Sequence, residues 1–425
     1  MMTSPRSLRM VIVLSCSAVL AQDATPPQKP IPNVAAVTTI YSHNSHADLI
    51  LGRFFEGNNL DGREPRPKMK LVSLFVDQFH DAPPHLKDKS RELAAKHGFR
   101  LSPSISDALT LGTDKLAVDG ILLLAEHGEY PVSDTGQTVY PKRRVFGEII
   151  KVCEASGRTV PLFFDKHLAD NWADAKAHFD TAKRLRMPLM AGSSIPVTWR
   201  NPAVDVPRGA KLKQIVATSY HTLDAYGFHA LEMVQCLAEQ RAGGETGIAA
   251  VQCLTDAEVW KAESRGIYDR KLLDLALTHL KWTKIPAGQR VEDLAPNPVL
   301  WVIDYRDGLR ANIFTLNGAV GDWCVAWNYA DNDRSDSTHF EMQQFLPFAH
   351  FTPQLEGIER MLQTNQPTWP AERTLLTSGL LDELLLSKKN GSSRRNTPHL
   401  AITYQTDWRW RQLPPIPPER KSEVR

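Results

Sequence analysis

Apolar residues in the first half of the chain fall into short runs that are separated by longer segments with helical periodicity. Residues 70–77, 118–125 and 160–164 are such runs, and each ends at or just before an acidic residue. Short runs without alternation are typical of parallel strands buried on both faces. The intervening segments 45–57 and 142–157 have apolar residues at helical spacing. The alternation predicts an α/β fold with a Rossmann-like, doubly wound parallel sheet.

The other elements predicted in this half have the same two patterns. They are the strands 33–40 and 188–192 and the helices 85–98, 104–111 and 174–186.

The pattern changes beyond Asn201-Pro202. The β-type runs there are longer (213–220, 299–305, 311–316 and 323–327), and one long helical segment, 223–241, interrupts them. We therefore expect a second, α+β domain with a mostly antiparallel sheet. Two domains also suit a length of 425 residues. The predicted organisation is a Rossmann-like domain over 33–200, a substrate and oligomerisation domain over 201–404 and a C-terminal tail over 405–425, disordered from Pro414.

The start of the chain has the layout of a secretory signal peptide. Arg6 and Arg9 precede an apolar run that ends in Val19-Leu20-Ala21. The run is too short for a stable membrane span after processing. We expect a signal peptide over residues 1–21, a flexible leader over 22–32 and an exported, periplasmic or extracellular protein.

The charge and the cysteines exclude some functions. Fifty basic and forty-eight acidic residues are interspersed, so the chain lacks the basic face that nucleic acids require. Four cysteines follow the predicted leader, and their spacing matches no metal or redox motif. All four stand in apolar sequence, so they are predicted to be buried small hydrophobes: Cys153, Cys236, Cys253 and Cys324.

Polar clusters follow two of the predicted buried strands. Glu126, His127 and Tyr130 follow one, and Asp165-Lys166-His167 follows another. Ligands of open α/β sheets bind at the carboxyl ends of the strands, so both clusters are expected to face one cleft. The other candidate substrate contacts are Arg200, at the domain crossover, and Asp224 and Glu232, near or on the long helix with His229. Together with His221, Glu126 and His127, the residues Asp224, His229 and Glu232 could bind a divalent metal, but no tight ligand motif favours this.

Two motifs resemble those of the Gfo/Idh/MocA (glucose–fructose oxidoreductase/inositol dehydrogenase) family. The strand that ends in Asp165-Lys166-His167 is similar to the family's strand ending in Glu-Lys-Pro, and residues 227–232 (GFHALE) resemble its Gly-x-His-x-x-Asp helix. The resemblance implies NAD or NADP on the first domain and a sugar-like alcohol in the cleft. It makes Lys166 the catalytic lysine and His229 the proton-exchanging histidine, with Asp165 and His167 as their candidate catalytic neighbours.

The chain departs from the family in the turn after the first strand. Residues 38–46 (TTIYSHNSH) contain no glycine, whereas the family's glycine-rich loop lets pyrophosphate approach the backbone. By position, the candidate cofactor contacts are Thr39, Tyr41, Ser45, His46 and, on the next strand, Asp77.

Three functions stay open from the sequence. The first is an exported oxidoreductase acting on a carbohydrate or cyclitol. The second is a cofactor-independent or metal-assisted hydrolase or lyase, and the third is a non-catalytic ligand-binding protein. In each case the expected partner is a small, sugar-like molecule, with homo-oligomers formed through the C-terminal sheet.

Overall fold

A computed structural model describes residues 30–83 and 85–421, together with Met1. The predicted signal peptide and most of the leader lie outside the described residues. From Ile31 onward the chain forms one compact unit.

The first sheet has six parallel strands in the order β3-β2-β1-β4-β5-β6. In chain order these strands are β1 (Asn33–Thr38), β2 (Lys70–Val76), β3 (Arg100–Leu101), β4 (Gly120–Leu124), β5 (Leu162–Asp165) and β6 (Leu189–Gly192). The order reverses between β1 and β4, and in such folds the ligand crevice opens at that reversal. The Rossmann-like sheet predicted from the buried runs is confirmed.

Five helices connect these strands: α1 (His46–Glu56), α2 (Ser90–His97), α3 (Ile105–Thr110), α4 (Lys142–Ser156) and α5 (Trp172–Arg184). Helix α1 begins where the sequence predicts, because the Ser45 side chain accepts a hydrogen bond from the Asp48 backbone N–H. The prediction that a helix begins at residue 85 was wrong. The Asp88 carboxylate accepts from the Ser90 N–H and hydroxyl, and α2 begins there, so residues 85–89 precede the helix.

The second sheet has eight strands in the order β14-β9-β10-β11-β8-β12-β13-β7, and only β8 and β11 pair in parallel. Its strands are β7 (Trp199–Asn201), β8 (Leu212–Ser219), β9 (Ile248–Thr255), β10 (Val299–Tyr305), β11 (Arg310–Thr315), β12 (Trp323–Tyr329), β13 (Ser335–Glu341) and β14 (Arg395–Asn396). The mostly antiparallel sheet is confirmed, although β7, β9, β13 and β14 were not predicted.

Helices cover both faces of this second sheet. The further helices are α6 (Ala225–Ala238), α7 (Ala257–Ser264), α8 (Arg270–Leu277), α9 (Val291–Leu294), α10 (Phe351–Thr364) and α11 (Ala371–Lys389). One apolar cluster joins the sheet to α6 and α11, and another joins its opposite face to α7, α8 and α9. Helices of the same chain thus pack on both faces of the sheet, and a homo-oligomer formed through this sheet stays a prediction.

Helix α11 lies between the two sheets. Leu375 belongs to the apolar core of the first sheet, whereas Leu376, Leu380 and Leu384 belong to that of the second. The helix contacts α5 and β6 on one side and α6 and β9 on the other. It therefore holds the two sheets, and the residues at their facing edges, in a fixed relation.

The end of the chain packs against the body of the protein. The Trp199 indole donates to the Pro414 carbonyl, and the Arg420 N–H donates to the Leu346 carbonyl at 2.6 Å. The prediction of disorder from Pro414 was therefore wrong as far as Lys421, because backbone groups of this segment pair with those of the core.

The structure bears on two further predictions. All four cysteines of the described chain are buried and free, as the apolar surroundings predicted. No helix among the described residues combines the length and the hydropathy that a membrane crossing needs.

Candidate functional site

Side chains from the carboxyl ends of β4 and β5 meet in a buried ionic cluster. The Glu126 carboxylate accepts from the Lys142 ammonium at 2.9 Å through Oε1 and lies 3.2 Å from the Lys166 ammonium through Oε2. All three side chains are at most 7% exposed. One carboxylate thus neutralises part of the charge of two buried lysines, each brought to it by a different element.

The two lysines differ in how many protein partners they have. Lys142 Nζ also donates to the carbonyls of His167, at 2.8 Å, and Asp165, at 3.5 Å, and lies 3.2 Å from His167 Nδ1. Within the described chain, Lys166 Nζ has only Glu126 as a partner. An ammonium carries three donors, so Lys166 keeps donors for a ligand and Lys142 does not.

The charges of the cluster support one another. Burial alone would raise the pKa of Glu126, but the ammonium groups of Lys142 and Lys166 outweigh it and hold that pKa well below its usual value. Burial would lower the pKa of Lys166, and the carboxylates of Glu126 and Asp165 raise it instead. The site therefore presents a fixed cation at the end of β5.

A second pair stands beside this cluster, between β5 and the start of α1. Asp165 Oδ2 lies 2.6 Å from Nδ1 of His46, the first residue of the helix. The His46 ring is 5.1 Å from that of His127, at the end of β4, and equally far from that of Phe351. The switch point between β1 and β4 is thus lined by imidazoles, where a dinucleotide fold usually carries glycines.

Helix α6 brings a further imidazole to the site from the second half of the chain. His229 Nδ1 lies 2.6 Å from the Ser193 hydroxyl, which follows β6 and also accepts from the Ile195 N–H. Glu232, one turn along α6, accepts from the hydroxyls of Thr374 and Thr377 on α11. Glu232 therefore fixes α6 against α11 instead of facing the cleft as a substrate contact.

Three histidines of the site, His127, His167 and His229, are held in their neutral form. Burial lowers the pKa of His127 and of His167 to about 3, and the Lys142 ammonium adds to the effect on His167. Burial also lowers the pKa of His229 well below its usual value, and the nearby charge of Lys166 lowers it further. At neutral pH His229 is therefore an uncharged imidazole near the charged Lys166.

Neutral, buried histidines predict loss of stability in mild acid. Between a native pKa of about 3 and an unfolded pKa near 6.5, the unfolded chain binds a proton that native His127 does not. The free energy of unfolding should therefore decrease as the pH falls below about 6.5. His127 should contribute up to about 1.4 kcal/mol per pH unit to this decrease.

Urea unfolding from pH 7 to pH 4.5 would measure this slope. In a His127→Asn variant the slope should be shallower by that amount. Asn tolerates the left-handed backbone of this position (φ 68°), so the comparison isolates the imidazole. An unchanged slope would show that His127 is protonated in the native state.

Three candidate substrate contacts lie at or beyond the edge of the site. Asp224 accepts from the Thr138 N–H, and burial raises its pKa. Tyr130 donates to Asp77 at 2.8 Å. Arg200 is fully buried between the rings of Phe340 and Trp410 and paired with Asp205 at 2.5 Å, so it stabilises the second sheet and does not line the cleft.

The turn after β1 uses its polar groups within the protein. The Thr39 hydroxyl donates to the Glu126 carbonyl, and Tyr41 is buried. The Asp48 carboxylate occupies the start of α1, where it accepts from the Asn44 N–H at 3.0 Å and from Lys89 Nζ at 2.6 Å. A pyrophosphate at this helix start would therefore meet a carboxylate where glycine-rich loops offer free N–H groups.

The loop after β2 also crosses the switch point. The Gln78 side-chain amide donates to the Glu129 carbonyl and accepts from the Glu129 N–H, both at 2.9 Å. The carboxylate of Asp77, a candidate cofactor contact, accepts hydrogen bonds from the Tyr130 hydroxyl and the Arg144 guanidinium. The described residues at the cofactor position of this fold do not fit a dinucleotide.

Comparison with known proteins supports the fold. No family model matches the sequence, and no curated protein matches it. Among solved structures, GenD2 from gentamicin A biosynthesis, in complex with NAD, is 11% identical over 88% of this chain and 99% of its own, with a TM-score of 0.53. Two further structures are similar. A probable dehydrogenase from Thermotoga maritima is 12% identical over 87% of this chain and 99% of its own, with a TM-score of 0.52. A myo-inositol dehydrogenase from Corynebacterium glutamicum is 12% identical over 86% of this chain and 98% of its own, with a TM-score of 0.51.

The chain has the two-domain fold of the Gfo/Idh/MocA oxidoreductases. It is a divergent form of that fold, since the glycine-rich loop is replaced and identity to these structures is only 11–12%. Lys166 follows β5 of the first sheet and His229 lies on α6 of the second half, close enough for the Lys166 charge to lower the pKa of His229. No metal-binding group of three or more His, Cys, Asp or Glu occurs among residues 30–83 and 85–421.

Two functional groups were not found from the sequence. Lys142 is the first residue of α4, in a Lys-Arg-Arg run that is typical of an exposed helix start. Ser193 directly follows the predicted strand 188–192 and was not among the candidate residues. The position of Ser193 directly after a buried parallel strand was the one signal that could have marked it.

Proposed function

We propose that this chain is an enzyme acting on a sugar-like small molecule, a carbohydrate or cyclitol, with Lys166 and His229 as its proton-transfer pair. The observation that carries the proposal is the buried Lys166 ammonium, which has one protein partner, next to a neutral His229. A buried cation with unused donors is suited to hold a substrate oxygen on which negative charge develops.

His229 supplies the complementary function. Its Nδ1 is held by Ser193, and its Nε2 makes no hydrogen bond within the described chain. A neutral imidazole in this state can take the proton of a hydroxyl whose oxygen the lysine polarises, and can return it. Ser193 and Glu232 act through His229 and α6, as positioning residues.

The oxidoreductase class is supported by the fold alone. The similar structures include two named as dehydrogenases, and a third, GenD2, is in complex with NAD. Polyol oxidation needs a hydride acceptor, and NAD or NADP is the one that the resemblance implies. Any such binding would have to displace the contacts of Asp48, Asp77 and Gln78.

A second candidate is acid–base chemistry without a nucleotide, in a lyase or isomerase. The Asp48 carboxylate at the start of α1 favours it, because it disfavours an anion there. The basic and apolar start of the sequence supports export. Outside the cytoplasm soluble nicotinamide nucleotides are expected to be scarce, which favours the same candidate.

Turnover assays on the mature protein test the proposal. We expect a cyclitol, an aldose or a keto-sugar from a screening panel to be converted, and His229→Gln to lower kcat by about 100-fold or more. His399→Gln, which changes a histidine paired with Glu383 outside the site, serves as control. Full activity in His229→Gln would contradict the proposal.

Calorimetric titration with NAD and NADP separates the two candidates. Micromolar binding would support the oxidoreductase, whereas turnover without nucleotide binding would support the lyase or isomerase.

A further inference from the structure

Helix α1 begins with an imidazole that a buried carboxylate holds in one orientation. Asp165 is 1% exposed, and its Oδ2 lies 2.6 Å from His46 Nδ1. An ionised carboxylate can only accept, so Nδ1 of the ring carries a proton, and in the neutral tautomer the lone pair is on Nε2. The same carboxylate stabilises the imidazolium that forms when Nε2 takes a proton.

The free nitrogen of this ring is available to a ligand. His46 Nε2 has no hydrogen bond within the described chain, and 13% of the side chain is exposed. The rings of His127 and Phe351, each 5.1 Å away, hold the imidazole from two sides. A ring fixed in this way keeps Nε2 directed at one place.

The backbone at both strand ends is strained where these groups meet. Lys166 and His127 have left-handed conformations, with φ of 56° and 68°. Such conformations are costly for residues with a Cβ and cluster at functional sites. At Lys166 this turn lets Asp165 face His46 while the next side chain faces Glu126.

We propose that His46, positioned by Asp165, is a catalytic base that takes a proton from carbon, with Lys166 stabilising the resulting enediolate. The inference rests on the proposed function and extends it to sugars or cyclitols with a carbonyl group. It also explains the glycine-free turn, since the start of α1 supplies a base instead of a phosphate cradle.

The step is balanced without an oxidant or reductant. The C–H bond next to the carbonyl breaks, its proton moves to His46 Nε2, and the electron pair shifts to the carbonyl oxygen, which accepts hydrogen bonds from Lys166 Nζ. Return of the proton to the same carbon regenerates the substrate. Return to the former carbonyl carbon gives an isomer when the proton of the adjacent hydroxyl moves to the former carbonyl oxygen, so that the adjacent carbon becomes the new carbonyl. In D2O the same cycle replaces the C–H hydrogen by deuterium.

Proton NMR in D2O tests this, with an inosose, fructose and glucose as probes and no nucleotide added. We expect the wild-type protein to exchange the hydrogen next to the carbonyl of at least one probe. His46→Gln should lose the exchange by 100-fold or more, and Asp165→Asn should lower kcat with little change in KM. His43→Gln is the matched control, because His43 lies in the same turn, 3.9 Å from Asp48 and outside the pair.

The possible outcomes separate this inference from the proposed function. Exchange that persists in His46→Gln but is lost in His229→Gln would overturn the role of His46 and leave the proposed function standing. Turnover that needs NAD or NADP, with no exchange in its absence, would do the same. No exchange and no turnover on any sugar or cyclitol would overturn both, and equal losses in His43→Gln and His46→Gln would show a structural effect only.

Discussion

Replacing Glu126 by glutamine is expected to lower the free energy of unfolding by about 3–5 kcal/mol, the range found when one partner of a buried ion pair is removed. Glutamine has nearly the same shape, so packing is kept. The variant leaves Lys142 and Lys166 buried without the carboxylate that both contact. One ammonium must then lose its proton or draw water into the core, and either process costs stability.

Urea unfolding at pH 7 measures the difference, with Glu232→Gln as matched control. Glu232 is equally buried, but its oxygens accept from hydroxyls and its pKa is raised by burial. Its replacement should therefore cost less than half as much. The stability of Glu126→Gln should also recover in part at alkaline pH, where a buried lysine neutralises more readily. Equal losses in the two variants would contradict the ionic account of the cluster.

The first sheet could be predicted because its strands are buried on both faces. β4 reads Gly-Ile-Leu-Leu-Leu with every residue buried, and such runs stand out from helical periodicity. The second sheet was only partly predicted. In β13 (Ser-Asp-Ser-Thr-His-Phe-Glu) the buried positions include Thr338 and His339, so polar residues occupy the core side and no apolar pattern marks the strand.

The residues of the site could be predicted only where the order of the strands determines which side chains lie close together. Glu126 and Lys166 directly follow neighbouring parallel strands, so the fold alone brings them together. The role of Lys142 depends on how α4 packs, and the sequence does not contain that information in any local pattern. Arg200 was misplaced for a related reason: β7 joins the edge of the second sheet and turns the guanidinium away from the cleft.

Replacing Lys166 by methionine should abolish turnover while largely preserving the fold. Methionine has a similar length and fills the same apolar path, and Glu126 keeps its ion pair with Lys142. The variant loses the charged donors that face developing negative charge, a loss that costs about 100- to 1000-fold in kcat for a single oxyanion contact. Steady-state kinetics on the substrate identified by screening, together with thermal unfolding, would measure both effects.

Lys142→Met is the matched control for this experiment, because it removes the other ammonium on the same carboxylate. Lys142 makes hydrogen bonds to the carbonyls of Asp165 and His167 that Lys166 does not make. We therefore expect Lys142→Met to lose more stability than Lys166→Met, and Lys166→Met to lose more turnover per folded molecule. A larger loss of turnover per folded molecule in Lys142→Met than in Lys166→Met would mean that Lys166 serves only to neutralise Glu126. The substrate oxygen would then have to be held by another group of the cleft.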